Sequence, residues 1–142
     1  MSKQQDTLGF LIADVQRLMR RQFQLQLEGS CVTLAQARAL VHIARSEGIR
    51  QVDLADRLDI QPITLARQLD QMAENGLVER RSDPNDRRAH QLYLTPQAEP
   101  YLTMIRQASD TVMQMTVNEL GEARTQQLCD SLKTLRDAFS HS

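Results

Sequence analysis

The chain has no tryptophan, three phenylalanines and two tyrosines, so it offers few rings on which unpaired bases could stack. RNA and single-strand binders that rely on aromatic platforms therefore find little support here. Cysteine occurs twice, at Cys31 and Cys129, with no CxxC and no histidine at ligand spacing. That argues against a thiolate metal site and, in a reducing compartment, against a disulfide. Both cysteines read as small apolar residues near or in the core, with oxidant sensing left open, chiefly for Cys31. No apolar run approaches the ~18–20 residues of a membrane span, and no signal-peptide pattern opens the chain. A cytoplasmic location is the expectation. The five glycines fall mostly at helix ends, and the chain has no glycine-rich phosphate loop, no HExxH and no nucleophile–base grouping. The expectation is a protein that is not an enzyme and carries no metal or cofactor.

Lysine is also scarce: Lys3 and Lys133 are the only two among 17 basic residues. The cationic chemistry is that of arginine, whose planar fork suits phosphates and grooves better than an ammonium does. The net charge of −1 weighs mildly against nucleic acid. Placement counts for more than the sum, and Asp53, Asp56, Asp59, Asp70 and Glu74 can lie on faces turned away from DNA.

What is present is the composition of one ordinary globular domain: 142 residues, 41% hydrophobic and 25% charged. Leu8, Leu11, Ile12, Val15, Leu18, Met19 and Leu25 recur at helical spacing and predict a first helix from Asp6 to Leu27. Thr33 caps a second helix running to Arg45, with Leu34, Ala37, Leu40, Val41 and Ala44 inward. A short third helix covers Gln51–Leu58, with Val52, Leu54, Ala55 and Leu58 apolar. Asp59-Ile60-Gln61 makes a turn, and Pro62 opens a fourth helix ending near Asn75–Gly76. Leu77–Arg81 and Gln91–Leu94 read as strands around an Asp83-Pro84-Asn85-Asp86 turn, with Arg87 and Arg88 at the tip. Thr95 and Pro96 suit the start of a fifth helix to Leu120, and a sixth spans Glu122–Phe139. The terminal helices carry more apolar stripe than the central module can cover, so a homodimer is expected.

A helix–turn–helix followed by a basic hairpin is a winged helix, and its cationic tip suits a phosphate backbone or a minor groove. The fourth helix should bury Leu65, Leu69, Met72 and Ala66. Its open face then carries Gln61, Pro62, Thr64, Arg67, Gln68 and Gln71, a polar surface fit for a major groove. Arginine matches guanine, glutamine matches adenine, and threonine can meet a thymine methyl. For Arg57, Arg80 and Arg81, DNA contact and intramolecular pairing stand side by side. The rival to a DNA-binding regulator is a winged helix used for protein interaction without specific DNA binding, which the acidic balance allows.

Asp83-Pro84-Asn85-Asp86-Arg87-Arg88 followed by Leu94-Thr95, together with Val52–Leu58 and Arg67–Val78, resembles the MarR family of bacterial transcription regulators, and within it the SlyA-like branch. The resemblance covers nearly the whole chain. It implies a mostly α fold with a small β-wing: a winged helix–turn–helix at residues 33–95, with dimerisation helices at residues 1–30 and 97–142. It further implies a pseudo-palindromic duplex operator, with recognition helices in major grooves about 10 base pairs apart. Arg88 would enter the minor groove, Asp86 would pair with it and aim it, and Arg87 would meet phosphate. A small phenolic or aromatic carboxylate would sit in a cleft near Arg17, Arg20 and His42. Repression is the expected outcome, relieved by such an acid or by an oxidant.

Overall fold

The structure is a computed structural model that describes residues 7–141. Asp6, where the first helix was expected to start, lies outside the described residues. Six helices and a three-stranded sheet follow one another as α1 (Leu8–Leu27), α2 (Leu34–Arg45), β1 (Ile49–Arg50), α3 (Gln51–Leu58), α4 (Pro62–Glu74), β2 (Val78–Asp83), β3 (Asp86–Leu94), α5 (Glu99–Leu120) and α6 (Glu122–Ser140). The sheet order is β1-β3-β2, and both neighbours run antiparallel to β3. This is the expected winged helix–turn–helix with long flanking helices.

Local chemistry explains most boundaries. Thr33 starts α2 with a full capping box: its hydroxyl accepts the Gln36 N–H at 3.2 Å, while Gln36 Oε1 accepts the Thr33 N–H at 3.2 Å. Asp59 closes α3 in the left-handed region, at φ 54°, which aspartate tolerates better than most residues. Gly76 ends α4 at φ 74°, where a Cβ would also run into the Gln97 side chain.

The core forms where the helices of the central module meet the sheet. Leu40, Ile43, Leu54, Leu65, Leu69, Met72 and Leu92 are fully buried in it. On α2 the buried side includes Ala39, Ile43 and Gln36, whereas Ala44 is exposed. That helix therefore buries a face that reaches round to Ala39 and Ile43, beyond the one expected. Val52, one of the apolar residues of the third helix, is also exposed.

Three further expectations change. A third strand, β1, pairs Ile49 with Leu92 and Arg50 with Gln91; two residues carry no periodicity by which to find it. The hairpin strands reach almost to the turn, so Arg87 and Arg88 belong to β3 and only Pro84 and Asn85 connect the strands. Thr95 does not cap a helix. Its hydroxyl donates to the Gly76 carbonyl, Pro96–Ala98 form a 3-10 turn, and α5 begins at Glu99.

Thr33→Ala deletes the hydroxyl arm of the capping box while leaving Gln36. It should lower the free energy of unfolding by about 1 kcal/mol, read from urea titration.

Candidate nucleic-acid interface

Leu65, Leu69 and Met72 hold α4 to the core, and its other side is left polar. Gln61, Pro62, Thr64, Arg67 and Gln71 are exposed, as the helical spacing implied, and Ala66 is half-buried. Gln68 differs: it is half-buried, and its Oε1 is enclosed with no hydrogen-bond partner. Gln71 is not free either, since its Oε1 accepts a bond from Nε2 of the buried Gln36 at 3.4 Å. Ile63, in the first turn, is 65% exposed. Its exposure gives α4 an apolar contact that hydrophobicity alone had not marked as a surface feature.

The wing is shaped by its acids. Asp83 Oδ1 accepts the Asn85 N–H at 2.9 Å and so builds the turn. Asp86 Oδ1 accepts the Arg88 backbone N–H at 3.0 Å. The expected Asp86–Arg88 partnership therefore runs through the main chain: the carboxylate orders the strand that carries Arg88, and no ion pair with the guanidinium is formed.

A groove of about 390 Å³ lies between the wing and the helix–turn–helix. Pro62 at the start of α4 and Asp86 and Arg88 on β3 line it together. Arg50 and His90, neither singled out by the sequence pattern, line it as well. Arg87 is exposed but is not part of its lining. Arg57, Arg80 and Arg81 make internal contacts: Arg57 with the Ser46 hydroxyl at 3.0 Å, Arg80 with Asp70 at 2.6 Å, and Arg81 with Glu79 at 3.2 Å. Arg81 also stacks on the Tyr93 ring at 3.9 Å. Arg50, Arg67, Arg87 and Arg88 enter no ion pair among the described residues.

A second, larger cavity of about 600 Å³ is bounded by α1, α2, α5 and α6. Arg20, Arg38 and His42 supply polar groups to an otherwise largely apolar lining. Arg20 donates to Gln16 Oε1 at 3.1 Å. Arg17 stays outside and faces Asp14 at 3.6 Å, so the two arginines expected to act together are separated. Cys129 lines this cavity. Cys31, expected near or in the core, is exposed and donates to the Tyr101 hydroxyl at 3.1 Å. Among the described residues no group of three or more His, Cys, Asp or Glu could hold a metal.

Burial first, then the nearby Arg38, Arg45 and Arg57, hold the His42 imidazole below its ordinary value of 6.5. The unfolded chain therefore takes up this proton at a pH where the folded chain refuses it. Stability should fall as pH drops below 6.5 and level off below the depressed folded value. His42→Asn should flatten that part of the profile, measured by urea unfolding from about pH 7 to about pH 5.

Residues 32–90 match the MarR family model. Solved structures extend the likeness to almost the whole chain. A crystal structure of MarR superposes with a TM-score of 0.89 at 25% identity, covering 99% of this chain and 95% of that one. The transcriptional repressor CouR, bound to a 23-mer DNA duplex, gives 0.84 at 25% identity over 96% of each chain. A mutant MarR from E. coli complexed with operator DNA gives 0.78 at 28% identity, over 90% of this chain and 92% of that one. No helix among the described residues is long and apolar enough to cross a membrane. The chain carries a MarR-family domain at residues 32–90, set in the fold of the MarR-family transcription regulators.

Proposed function

We propose that the protein is a homodimeric, sequence-specific DNA-binding repressor of the SlyA-like branch. Its winged module at residues 33–95 would bind a pseudo-palindromic operator, and residues 1–30 and 97–142 would build the dimer. The reading rests above all on the groove that joins Pro62 of α4 to Arg88 of the wing, flanked by Arg50 and His90. Such an arrangement suits a duplex whose major groove takes α4 while its minor groove takes Arg88, because a narrow minor groove concentrates negative potential and attracts arginine. CouR and MarR, whose solved complexes hold duplex DNA, support the same reading.

The apolar helices support the dimer. Leu8, Phe10, Leu11, Ile12, Val15, Leu18, Met19 and Leu25 of α1 are all exposed in the single chain, as are Leu128, Leu132 and Phe139 of α6. An uncovered stripe of this length marks an interaction surface. The cavity that Val15, Met19, Leu128 and Leu132 of this surface also line, with Arg20, Arg38 and His42 at its walls, suits a small aromatic carboxylate. Such a ligand would relieve repression by binding one spacing of the two winged modules better than the other.

Duplexes selected by the wild-type chain from a random pool supply the binding assay, read by fluorescence anisotropy against a shuffled duplex. Arg88→Ala should weaken binding to the selected duplex by about 1–3 kcal/mol. Undiminished affinity of the folded variant would remove the wing from the interface. Ile12→Glu should place a charge in the stripe of α1 and halve the mass measured by light scattering, with helix content retained. A wild-type chain already monomeric at micromolar concentration would rule out the dimer.

A further inference from the structure

Arg80 differs from the other cations of the wing in where it is turned. It pairs across the hairpin with the buried Leu92, and its side chain keeps 24% of its exposure, against 53% for the neighbouring Arg81. A guanidinium held this close to a core needs partners for its donors, and it finds three. Nε donates to Gln51 Oε1 at 3.3 Å, Nη2 to the Ala66 carbonyl at 3.1 Å, and Nη1 meets Asp70 Oδ1 at 2.6 Å.

These partners belong to different elements. Gln51 is the first residue of α3, while Ala66 and Asp70 stand one turn apart on α4. One planar group, rooted in β2, thus grips both helices of the helix–turn–helix. The Ala66 carbonyl and the Asp70 carboxylate together resist rotation and sliding of α4 against the wing. Arg67 follows Ala66 directly in the chain, and Arg88 stands on β3 of the hairpin that carries Arg80. Asp70 is 67% exposed, and an ion pair so open to water contributes little to stability. Its consequence is geometric: contacts that read bases tolerate little misplacement, whereas contacts to phosphates tolerate more.

We propose that Arg80 is a positioning residue for DNA recognition, which sets the register between the reading face of α4 and Arg88 in the wing and so governs preference for the operator without touching DNA. The proposal rests on the DNA-binding function proposed above. Its signature is a loss of discrimination, not a general loss of affinity.

The test compares wild type, Arg80→Gln, Asp70→Asn and the double variant on the selected and the shuffled duplex over a range of salt. In Arg80→Gln the ratio of the two affinities should fall roughly tenfold, or about 1.4 kcal/mol. The salt slope should stay that of the wild type, because no phosphate contact is lost. Asp70→Asn removes the charge of the pair and keeps its size, so binding to the shuffled duplex should hold while the ratio falls. The double variant should be no worse than the poorer single one, as for residues acting through one contact. Thermal unfolding checks that each variant folds; if Arg80→Gln does not, Asp70→Asn at its exposed carboxylate decides alone. An unchanged ratio in folded variants overturns the proposal. So does an equal loss on both duplexes with a salt slope shallower by about one unit, which makes Arg80 a phosphate contact. A wild-type chain that enriches no duplex at all refutes the DNA reading itself, and the role of Arg80 goes with it.

Discussion

Leu65, Leu69 and Met72 have no exposed surface, and the orientation of α4 depends on them. Burying side chains of this size contributes about 1.5–3 kcal/mol each, several times the 0.2–1 kcal/mol usual for an exposed ion pair. The apolar face therefore decides which way α4 points, and the polar groups can only refine it. Once Leu65, Leu69 and Met72 are seated against Leu40, Ile43 and Leu54, spacing alone carries Thr64 and Arg67 outward. The polar surface is what remains of the helix after the core has taken its share.

Charge is arranged in the same subordinate way. A chain of net charge −1 is a poor partner for DNA only if its acids face the duplex. Asp70 is engaged by Arg80, Glu79 by Arg81, Glu99 by Arg106 and Asp14 by Arg17. Asp83 and Asp86 are spent on backbone N–H groups that shape the wing. Arg50 and Arg88 present cations to one groove, beside the single carboxylate of Asp86. The field that a phosphate meets there is local, and the overall balance says little about it.

Much of this could be read from the residues. Amphipathic spacing located all six helices, and Thr33 marked the start of α2 because an N-cap threonine is a local signal. The wing was equally visible in Asp83-Pro84-Asn85-Asp86. Features set by tertiary contact were not visible. The strand Ile49–Arg50 exists because Leu92 is there to pair with it, and Ala44 is exposed because neighbours claimed Ile43 instead. In the site, the exposed face of α4 was legible, but Arg50 and His90 reach the groove only through the sheet. The separation of Arg17 from Arg20 follows from the cavity's position relative to α1, which an i, i+3 spacing does not define.

Gln36 has two duties, one for each end of its amide. Its carbonyl oxygen closes the first turn of α2, and its amide nitrogen reaches across to Gln71. With 4% of its surface exposed, that amide has little water to fall back on. The Gln71 oxygen keeps a second lone pair for an outside donor, but swinging the side chain away would leave the buried Gln36 donor unsatisfied, at a cost of about 1–3 kcal/mol. Gln71 is thereby held in one direction on an exposed face of α4 by a bond that the core maintains.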